Sequence, residues 1–176
     1  SLDRFLREAR AASRLRHPHI ITLWESGVTD DGQPYFVMDY LEGMTLADLI
    51  REKGAIHPTR ALPIIRQLCE ALTEAHKLGI VHRDIKPENI VLQETDYADD
   101  YVKVLDFSIA DLPHESSGVS KLTKGKTAAG SPAYMSAEQC QGLDLDARSD
   151  IYSLAVVIFE LLTGKRPFSA ESLRDL

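Results

Sequence analysis

The segment IVHRDIKPENIVL, residues 80–92, places a dense set of polar side chains between two short apolar runs. Short apolar runs are typical of buried segments, so both flanks predict core positions. The residues between them include a histidine, an arginine, two acids, a lysine, an asparagine and a proline. A chain with this segment must therefore fold so that a core holds a very polar loop in a fixed position.

The composition predicts one globular domain. The chain has 176 residues, of which 44% are hydrophobic and 27% are charged, an ordinary globular mixture. The net charge of -7 disfavours binding to nucleic acid, so any phosphate must be held locally. Cys69 and Cys140 have no metal-ligand spacing around them, which favours a reducing, cytoplasmic setting over a disulfide scaffold or a zinc site. The longest apolar run, residues 154–159, is far shorter than the roughly 20 residues of a membrane span; we interpret it as a buried helix and expect no membrane segment in this chain.

The first part of the chain predicts one helix and two strands. Apolar residues recur at helical intervals before His17 and Pro18, which predicts an amphipathic helix. The β-rich runs IITLWESGV and PYFVMDYL follow, separated by TDDGQ. The Asp-Gly pair in that spacer is a strong signal for an antiparallel hairpin.

The second part predicts mainly helices. Thr45 is a plausible N-cap for a helix that stops at Gly54. A longer helix over residues 58–78 has a predicted buried stripe formed by Leu62, Ile65, Leu68, Leu72 and Ala75. Strands at residues 90–92 and 102–105 are joined by the acidic run QETDYADD, which we interpret as a solvated hairpin tip rather than a metal site.

The last part predicts a functional loop and a buried helix. Residues 112–131 are polar and have no periodicity, and loops of that length are usually functional or mobile. Asp150 introduces the apolar helix, and Gly164 closes it. The expected fold class is α+β, with a small helix-and-strand part, a connector near residues 40–43 and a mostly helical part.

Four residues fit the chemistry of phosphoryl transfer. That reaction needs a carboxylate to orient the attacking hydroxyl, a cation on the transferred phosphate and oxygen ligands for Mg²⁺. Asp84, Lys86, Asn89 and Asp106 supply these groups in that order. The alternative is that Asp84 and Asn89 are ordinary turn residues, which both residue types favour.

The motifs HRDIKPEN, DFS and GSPAYMSAE resemble, in this order, those of eukaryotic-type Ser/Thr protein kinase catalytic domains. The stretches HPHIITLWESG, PYFVMDYLEG and GSPAYMSAEQ are most similar to the bacterial branch of that family. The resemblance implies a two-lobe kinase fold truncated at both ends. Residues 1–40 are then part of the small lobe, residues 41–43 the hinge and residues 44–176 part of the large lobe.

The resemblance also implies roles for the polar loop. Asp84 becomes the acid that orients or accepts the substrate hydroxyl proton, and Lys86 becomes the cation on the γ-phosphate of ATP. Asn89 and Asp106 become the Mg²⁺ ligands. His82 and Phe107 become packing residues in an apolar column completed by Leu23 and Ala12; the alternative is that His82 is a general acid or base.

An adenine site and a regulatory site follow from the same resemblance. The resemblance implies five residues of the ATP site. Glu8 would be the helical partner of a strand lysine, and Met38 would be the guard residue at the back of the adenine pocket. Asp39 and Leu41 would lie in the hinge, and Val91 would contact the adenine ring from below. Core filling is the other interpretation of Met38, and it is compatible with the first, since a guard residue is also part of the core.

The polar stretch at residues 112–131 resembles an activation segment, bounded by Asp106 and by the SAE motif at residues 136–138. Thr127 in this segment matches a regulatory phosphothreonine with Arg83 as its partner, although Thr123, Ser120, Ser117 and Ser116 compete with it. Asp150 matches a buried aspartate that accepts backbone hydrogen bonds from the catalytic loop.

Three departures from the family pattern are visible. Ser108 replaces the usual glycine of the DFS motif, and Ala137 replaces the usual proline before Glu138, which we expect to loosen the turn before Glu138. Both replacements slightly favour a pseudokinase. The glycine-rich loop and the strand lysine are not in this sequence, so we expect a fragment that binds Mg-ATP weakly by itself and that exposes apolar surface on its last helix.

The resulting expectation is a protein kinase that transfers the γ-phosphoryl of Mg-ATP to Ser or Thr hydroxyls of protein substrates. Autophosphorylation of its own activation segment, through possible self-association, belongs to the same hypothesis. The alternatives are a pseudokinase or docking module without transfer, and a small-molecule phosphotransferase, against which the GSPAYMSAE segment argues.

Overall fold

The computed structural model describes residues 14–96, 98–107 and 132–168. The predicted first helix and the polar stretch at 112–131 lie largely or wholly outside these residues. Two 3-10 turns, Pro87–Asn89 and Pro132–Tyr134, accompany the main elements. In chain order these are β1 Leu23–Val28, β2 Pro34–Met38, β3 Met44–Thr45, α1 Leu46–Lys53, α2 Pro58–Lys77, β4 Ile90–Thr95, β5 Ala98–Val104, α3 Ala137–Gln141 and α4 Ala147–Thr163.

The predicted hairpin is confirmed. Strands β1 and β2 pair antiparallel, with Ser26 opposite Phe36. The turn closes through a hydrogen bond of 2.8 Å from the Thr29 N–H to the Gln33 carbonyl. Gly32 within that turn has φ +86°, a conformation that glycine adopts without steric cost, which explains why the Asp-Gly pair predicted the turn.

A second sheet carries the polar loop. Strands β3, β4 and β5 form an antiparallel sheet in that order, with Thr45 opposite Val91. Strands β4 and β5 are both longer than the predicted strands at residues 90–92 and 102–105. Thr95 lies opposite Ala98 in this pair of strands. Asp100 is not part of a solvated tip, because its carboxylate accepts two hydrogen bonds from Arg60 at 2.7 and 2.8 Å.

Helix α1 begins and ends as predicted. The Thr45 hydroxyl accepts a hydrogen bond from the Asp48 N–H at 3.1 Å, and the Asp48 carboxylate accepts one from the Thr45 N–H at 3.3 Å. These two bonds form a capping box. Gly54 ends the helix with φ +68°.

The predicted buried stripe of α2 is wrong at its first turn. Leu62 is 62% exposed, whereas Ala61 and Ile64 are fully buried. Successive residues of a helix are 100° apart, so the face that packs on β5 begins one residue earlier than predicted. The prediction placed the larger Leu62 on the buried face, but the small Ala61 lies there instead. The buried face consists of Ala61, Ile64, Gln67, Leu68, Ala71, Leu72 and Ala75.

Helix α4 begins four residues before the position that was predicted. Asp146 is the N-cap, and its carboxylate accepts the Arg148 N–H at 2.8 Å. Asp150 lies inside the first turn and is 1% exposed. The interpretation as a buried helix holds for one face, since Val157 and Leu161 are fully buried while Ile151 is 58% exposed. The expected apolar surface on this helix is thus present.

We expect the corrected face of α2 to decide the effect of mutations there. Leu68→Ala should lower the free energy of unfolding by about 2–5 kcal/mol, because a buried leucine leaves a cavity. Leu62→Ala should change it by less than about 0.5 kcal/mol, because that side chain is largely in solvent. Urea unfolding followed by circular dichroism measures both, and equal effects would contradict the observed face.

Candidate active site

Asp150 fixes the backbone of the polar loop. Its Oδ2 accepts the His82 N–H at 2.8 Å, and its Oδ1 accepts the Arg83 N–H at 2.8 Å. The His76 Nε2 lies 2.7 Å from the same Oδ2. The carboxylate that the sequence placed at a helix start therefore ties α4 and α2 to the loop, which confirms the expectation that Asp150 accepts backbone hydrogen bonds from this loop.

His82 is buried and neutral. Its Nδ1 accepts the Asp84 N–H at 3.2 Å, so the ring proton is on Nε2, which donates to the Leu105 carbonyl at 2.7 Å. Removal from water lowers the pKa of His82. The His82 and Phe107 rings pack edge to face with centroids 4.6 Å apart. The expected packing role of both residues is confirmed, and Leu23 is buried as well, while Ala12 lies outside the described residues.

Asp84, Lys86 and Asn89 form one cluster. The Lys86 ammonium donates to Asp84 Oδ2 at 2.6 Å. The Asn89 side-chain amide donates to the Asp84 carbonyl at 2.8 Å and to Asp84 Oδ2 at 3.0 Å. Both side chains bind the same carboxylate oxygen, Oδ2. The Pro87–Asn89 turn, in which the Asn89 N–H donates to the Lys86 carbonyl at 3.0 Å, brings Asn89 back toward Asp84.

Asn89 and Asp106 offer oxygen ligands on neighbouring segments. The two acceptors on Asp84 fix the Asn89 amide so that its Nδ2 faces Asp84. The Leu105 N–H donates to the Asn89 carbonyl at 2.9 Å, which places Asp106 beside Asn89. Asp106 is exposed, and an amide oxygen with a carboxylate fits the preference of Mg²⁺ for oxygen ligands.

Two residues of the site have unusual backbone conformations. Arg83 has φ +71° and Asp106 has φ +58°, values that are uncommon for residues other than glycine. Such strain persists only where the surrounding structure enforces it, and it is concentrated at functional sites. The proposed partner of Arg83, Thr127, lies outside the described residues.

The predicted adenine residues are only partly brought together. Val91 is 8% exposed within the sheet. Met38 is 40% exposed, so its side chain is not buried in the core, and its place at the adenine pocket stays a prediction. The Asp39 N–H donates to the Thr22 carbonyl at 3.2 Å, and the Glu42 carbonyl accepts a hydrogen bond from the Gln93 side-chain amide at 3.1 Å. Leu41, which lies between Asp39 and Glu42 in the chain, is half-buried. Glu8 lies outside the described residues.

Asp39 also has a side-chain role that the sequence did not indicate. Its Oδ1 accepts the indole N–H of Trp24 at 2.7 Å. This hydrogen bond is the main reason that the pKa of Asp39 lies below its ordinary value. The bond joins β1 to the connector.

Helix α3 contacts the polar loop through Gln139, a contact that was not predicted from the sequence. Ser136 caps α3 in a capping box with Gln139, and the Gln139 amide donates to the Arg83 carbonyl at 2.6 Å. The Ser-x-x-Gln spacing was the available signal. The expected loosening at Ala137 is not seen in the adjacent contacts, because Glu138 accepts a hydrogen bond from the Ser149 hydroxyl at 2.6 Å, which holds the pKa of Glu138 below its ordinary value.

A groove of about 530 Å³ lies beside the Pro87–Asn89 turn. Its walls include Glu88, residues of α1, and Glu160 and Arg166 from the end of α4 and beyond it. The Tyr134 hydroxyl, which also lines the groove, donates to Glu160. Burial and this bond raise the pKa of Tyr134.

Comparisons with known proteins give a consistent result. A family model described as the protein kinase domain matches residues 1–175. Serine/threonine-protein kinase pkn3 of Myxococcus xanthus is 40% identical over 172 residues, covering 98% of this chain and 31% of that protein. Serine/threonine-protein kinase PknB of Mycobacterium tuberculosis is 41% identical over 172 residues, covering 96% of this chain and 26% of that protein. The chain thus spans about a third or less of the length of these curated relatives.

Solved structures share the fold. The crystal structure of the M. tuberculosis PknI kinase domain superposes with a TM-score of 0.73 at 29% identity, covering 97% of this chain and 59% of that chain. The crystal structure of Rad53 1-466 in complex with AMP-PNP gives a TM-score of 0.76 at 29% identity, covering 99% and 41%. The expected α+β fold class is confirmed. Among the residues that the structure describes, no helix is long and apolar enough to cross a membrane.

We expect the neutral state of His82 to make stability depend on pH. The folded protein disfavours the protonated imidazole, whereas the unfolded chain binds that proton below about pH 6.5. The unfolded state therefore binds more protons, and the free energy of unfolding should fall as the pH falls from about 6.5 to 5, by up to about 1.4 kcal/mol per pH unit from this residue. Urea unfolding at several pH values measures the slope.

His82→Phe keeps a ring against Phe107 and removes the titrating group. This variant should be less stable at neutral pH, since it loses two hydrogen bonds, and its slope between about pH 6.5 and 5 should be shallower. A slope equal to that of the wild type would show that other groups cause the pH dependence.

Proposed function

The chain belongs to the protein kinase domain family, and from this membership we propose that the protein transfers the γ-phosphoryl group of Mg-ATP to serine and threonine hydroxyls of protein substrates. The single observation that carries the proposal is the cluster of Asp84, Lys86 and Asn89, joined by hydrogen bonds of 2.6–3.0 Å. Named relatives are serine/threonine-protein kinases, which supports the same substrate class.

The reaction assigns one task to each side chain. Asp84 orients the substrate hydroxyl through Oδ1. It accepts the hydroxyl proton as the substrate oxygen forms a bond to the γ-phosphorus. The bond from the γ-phosphorus to the bridging oxygen breaks, and its electron pair leaves with ADP. Lys86, held 2.6 Å from the Asp84 carboxylate, lies where its charge can offset that of the transferred group. The protein thus contributes mainly position and charge.

The metal ligands in this proposal are Asn89 and Asp106. When bound, Mg²⁺ would neutralise phosphate charge and orient the phosphates. Asn89 is fixed for this task by its two hydrogen bonds to Asp84. Asp106 is fixed by the bond of 2.9 Å between the Leu105 N–H and the Asn89 carbonyl, which holds the two ligand-bearing segments side by side.

The nucleotide contacts, lobe division and location remain part of the proposal. Residues 1–40, 41–43 and 44–176 are proposed as the partial small lobe, hinge and partial large lobe, which fits the presence of two separate sheets. Adenine would lie between the backbone of the hinge and Val91, with Met38 at the back of its pocket. Cys69 and Cys140 are free thiols, which supports the proposed cytoplasmic location of this domain.

Regulation through the activation segment is proposed from the sequence. Phosphorylation of Thr127 would add about -1.5 to -2 charges, which an arginine can bind. Arg83 is the proposed partner because it directly precedes Asp84. Self-association of two copies would allow one to phosphorylate the other, and mass spectrometry of the full-length protein after incubation with Mg-ATP would locate the phosphate.

A pseudokinase without phosphoryl transfer is the second candidate. Ser108, where the family usually has glycine, is the observation that favours it, since added side-chain bulk restricts the backbone. Ala137 no longer favours it, because Ser136 and Gln139 cap the following helix without a proline. Measured transfer to a protein substrate by the full-length protein separates the two candidates.

We expect Asp84→Asn to lower kcat of the full-length protein by about 10²- to 10⁴-fold, the range for removing a positioned base. The amide has a similar shape and can still accept from Lys86, so folding should be preserved. Transfer of ³²P from ATP to a protein substrate measures the effect. Asp144→Asn is the matched control, because Asp144 is exposed and lies outside the site. An unchanged kcat in Asp84→Asn would contradict the assignment of Asp84 as the base.

Asp106→Asn should weaken the response to Mg²⁺. The variant replaces a charged oxygen ligand with a neutral one, so the Mg²⁺ concentration for half-maximal activity should rise by about 10-fold or more. A Mg²⁺ titration of transfer at saturating ATP measures the shift, and removal of the metal with EDTA should abolish transfer in the wild type. An unchanged titration curve would exclude Asp106 as a metal ligand.

A further inference from the structure

One peptide unit in the loop is held on both sides by buried neutral side chains. The Gln139 Nε2 donates to the Arg83 carbonyl at 2.6 Å, and the Asp84 N–H of the same peptide donates to His82 Nδ1 at 3.2 Å. A peptide unit is planar, so these two bonds define the orientation of the plane that leads into Asp84. Rotation of the plane would break both bonds together.

The orientation of the Gln139 amide is unambiguous. Its Oε1 accepts the Ser136 N–H at 3.0 Å, and its Nε2 donates to the Arg83 carbonyl. Both partners are backbone groups with fixed donor and acceptor roles, so exchanging the oxygen and nitrogen would break both bonds. Gln139 is 7% exposed and Ser136 is 1% exposed, so water cannot easily replace either partner.

The peptide that Gln139 holds is one that would otherwise tend to relax. Arg83 has φ +71°, a strained conformation for a residue with a side chain. Asp150 fixes the N–H of Arg83 at 2.8 Å, but that bond leaves the carbonyl side of the residue unrestrained. Gln139 supplies the restraint on the carbonyl side, directly before Asp84.

We propose that Gln139 is a positioning residue for the Asp84 carboxylate, acting through the Arg83–Asp84 peptide. This inference rests on the proposed function, because the position of Asp84 has a kinetic consequence only if Asp84 acts on a substrate hydroxyl. A misplacement of about 1 Å at a reacting group can lower a rate by about 100-fold. Gln139 does not touch the reacting atoms; it sets the direction from which Asp84 approaches them.

A purely structural role for Gln139 is separable from this one because the two roles use different atoms. Oε1 completes the capping box of α3 with Ser136, and Nε2 holds the loop. Gln139→Glu keeps an oxygen that can accept the Ser136 N–H, but it replaces the donor to Arg83 with a second oxygen. Two acceptors would then face each other at the distance of a hydrogen bond, and the peptide should shift.

The test is steady-state kinetics of the full-length Gln139→Glu protein. We expect kcat to fall by about 10- to 100-fold, with KM for ATP and for the protein substrate within about twofold of the wild type. The ratio of variant to wild-type kcat should rise as the pH is lowered from about 8 to 6. Burial raises the pKa of the introduced carboxyl, and the protonated form can again donate to the Arg83 carbonyl.

Two further variants make the result specific. Gln141→Glu adds the same charge at an exposed position of the same helix and should match the wild type at every pH. Gln139→Met is similar in size and has neither polar atom, so its kcat should fall without recovery at low pH. It also preserves the test if Gln139→Glu does not fold.

Each outcome decides the inference. A wild-type kcat in either Gln139 variant overturns it. The inference is also overturned if the kcat of Gln139→Glu falls by the same factor at every pH and the fall is explained by a lower unfolding midpoint, which is the result expected from a lost helix cap. A wild-type protein that transfers no phosphate would instead overturn the proposed function, and this inference with it.

Discussion

The buried carboxylate of Asp150 is the interaction on which the rest of the site depends. It is 1% exposed, and an isolated carboxylate taken out of water would cost several kcal/mol. The backbone N–H groups of His82 and Arg83, together with the His76 ring, satisfy it at 2.7–2.8 Å. Because each donor is needed, the loop cannot move away from α4 without exposing or orphaning that charge.

This anchor makes strained backbone tolerable where chemistry is proposed. Arg83 and Asp106 have positive φ values, and each such residue costs about 1–2 kcal/mol. Contacts between segments far apart in sequence hold both in place. Arg83 lies between Asp150 and Gln139. Asp106 follows Leu105, whose N–H and carbonyl bind the Asn89 carbonyl and His82 Nε2, so the two segments that carry the proposed ligands share one frame.

Patterns that depend on local chemistry could be predicted from the sequence. The Asp-Gly turn and the caps at Thr45 and Gly54 were found because a few adjacent residues determine them. The buried face of α2 was misplaced at its start, since Ala61 is buried and Leu62 is not, and which side of a helix meets a sheet is a tertiary property.

The site shows the same division between local and tertiary information. Asp84, Lys86 and Asn89 were predicted to act together, and they lie within six residues of one another. Gln139 was missed because its partner, the Arg83 carbonyl, is 56 positions away in the chain. A backbone carbonyl carries no sequence signal of its own, so only the folded chain shows that a glutamine in a capping box also reaches the loop.

The site separates the groups that hold the backbone from those that carry charge toward a substrate. His82 and Gln139 are neutral, and they bind the peptide before Asp84 without adding charge beside the proposed phosphate site. Lys86 and Asp84 keep their opposite charges 2.6 Å apart at a partly exposed position, where a phosphate or a cation could exchange with either partner. A protonated His82 would add a buried positive charge and would lose the Asp84 N–H bond, because both ring nitrogens would then be donors. The burial and neutrality of His82 therefore preserve the backbone geometry at Asp84. They also preserve the balance of charge that the proposed phosphoryl transfer requires.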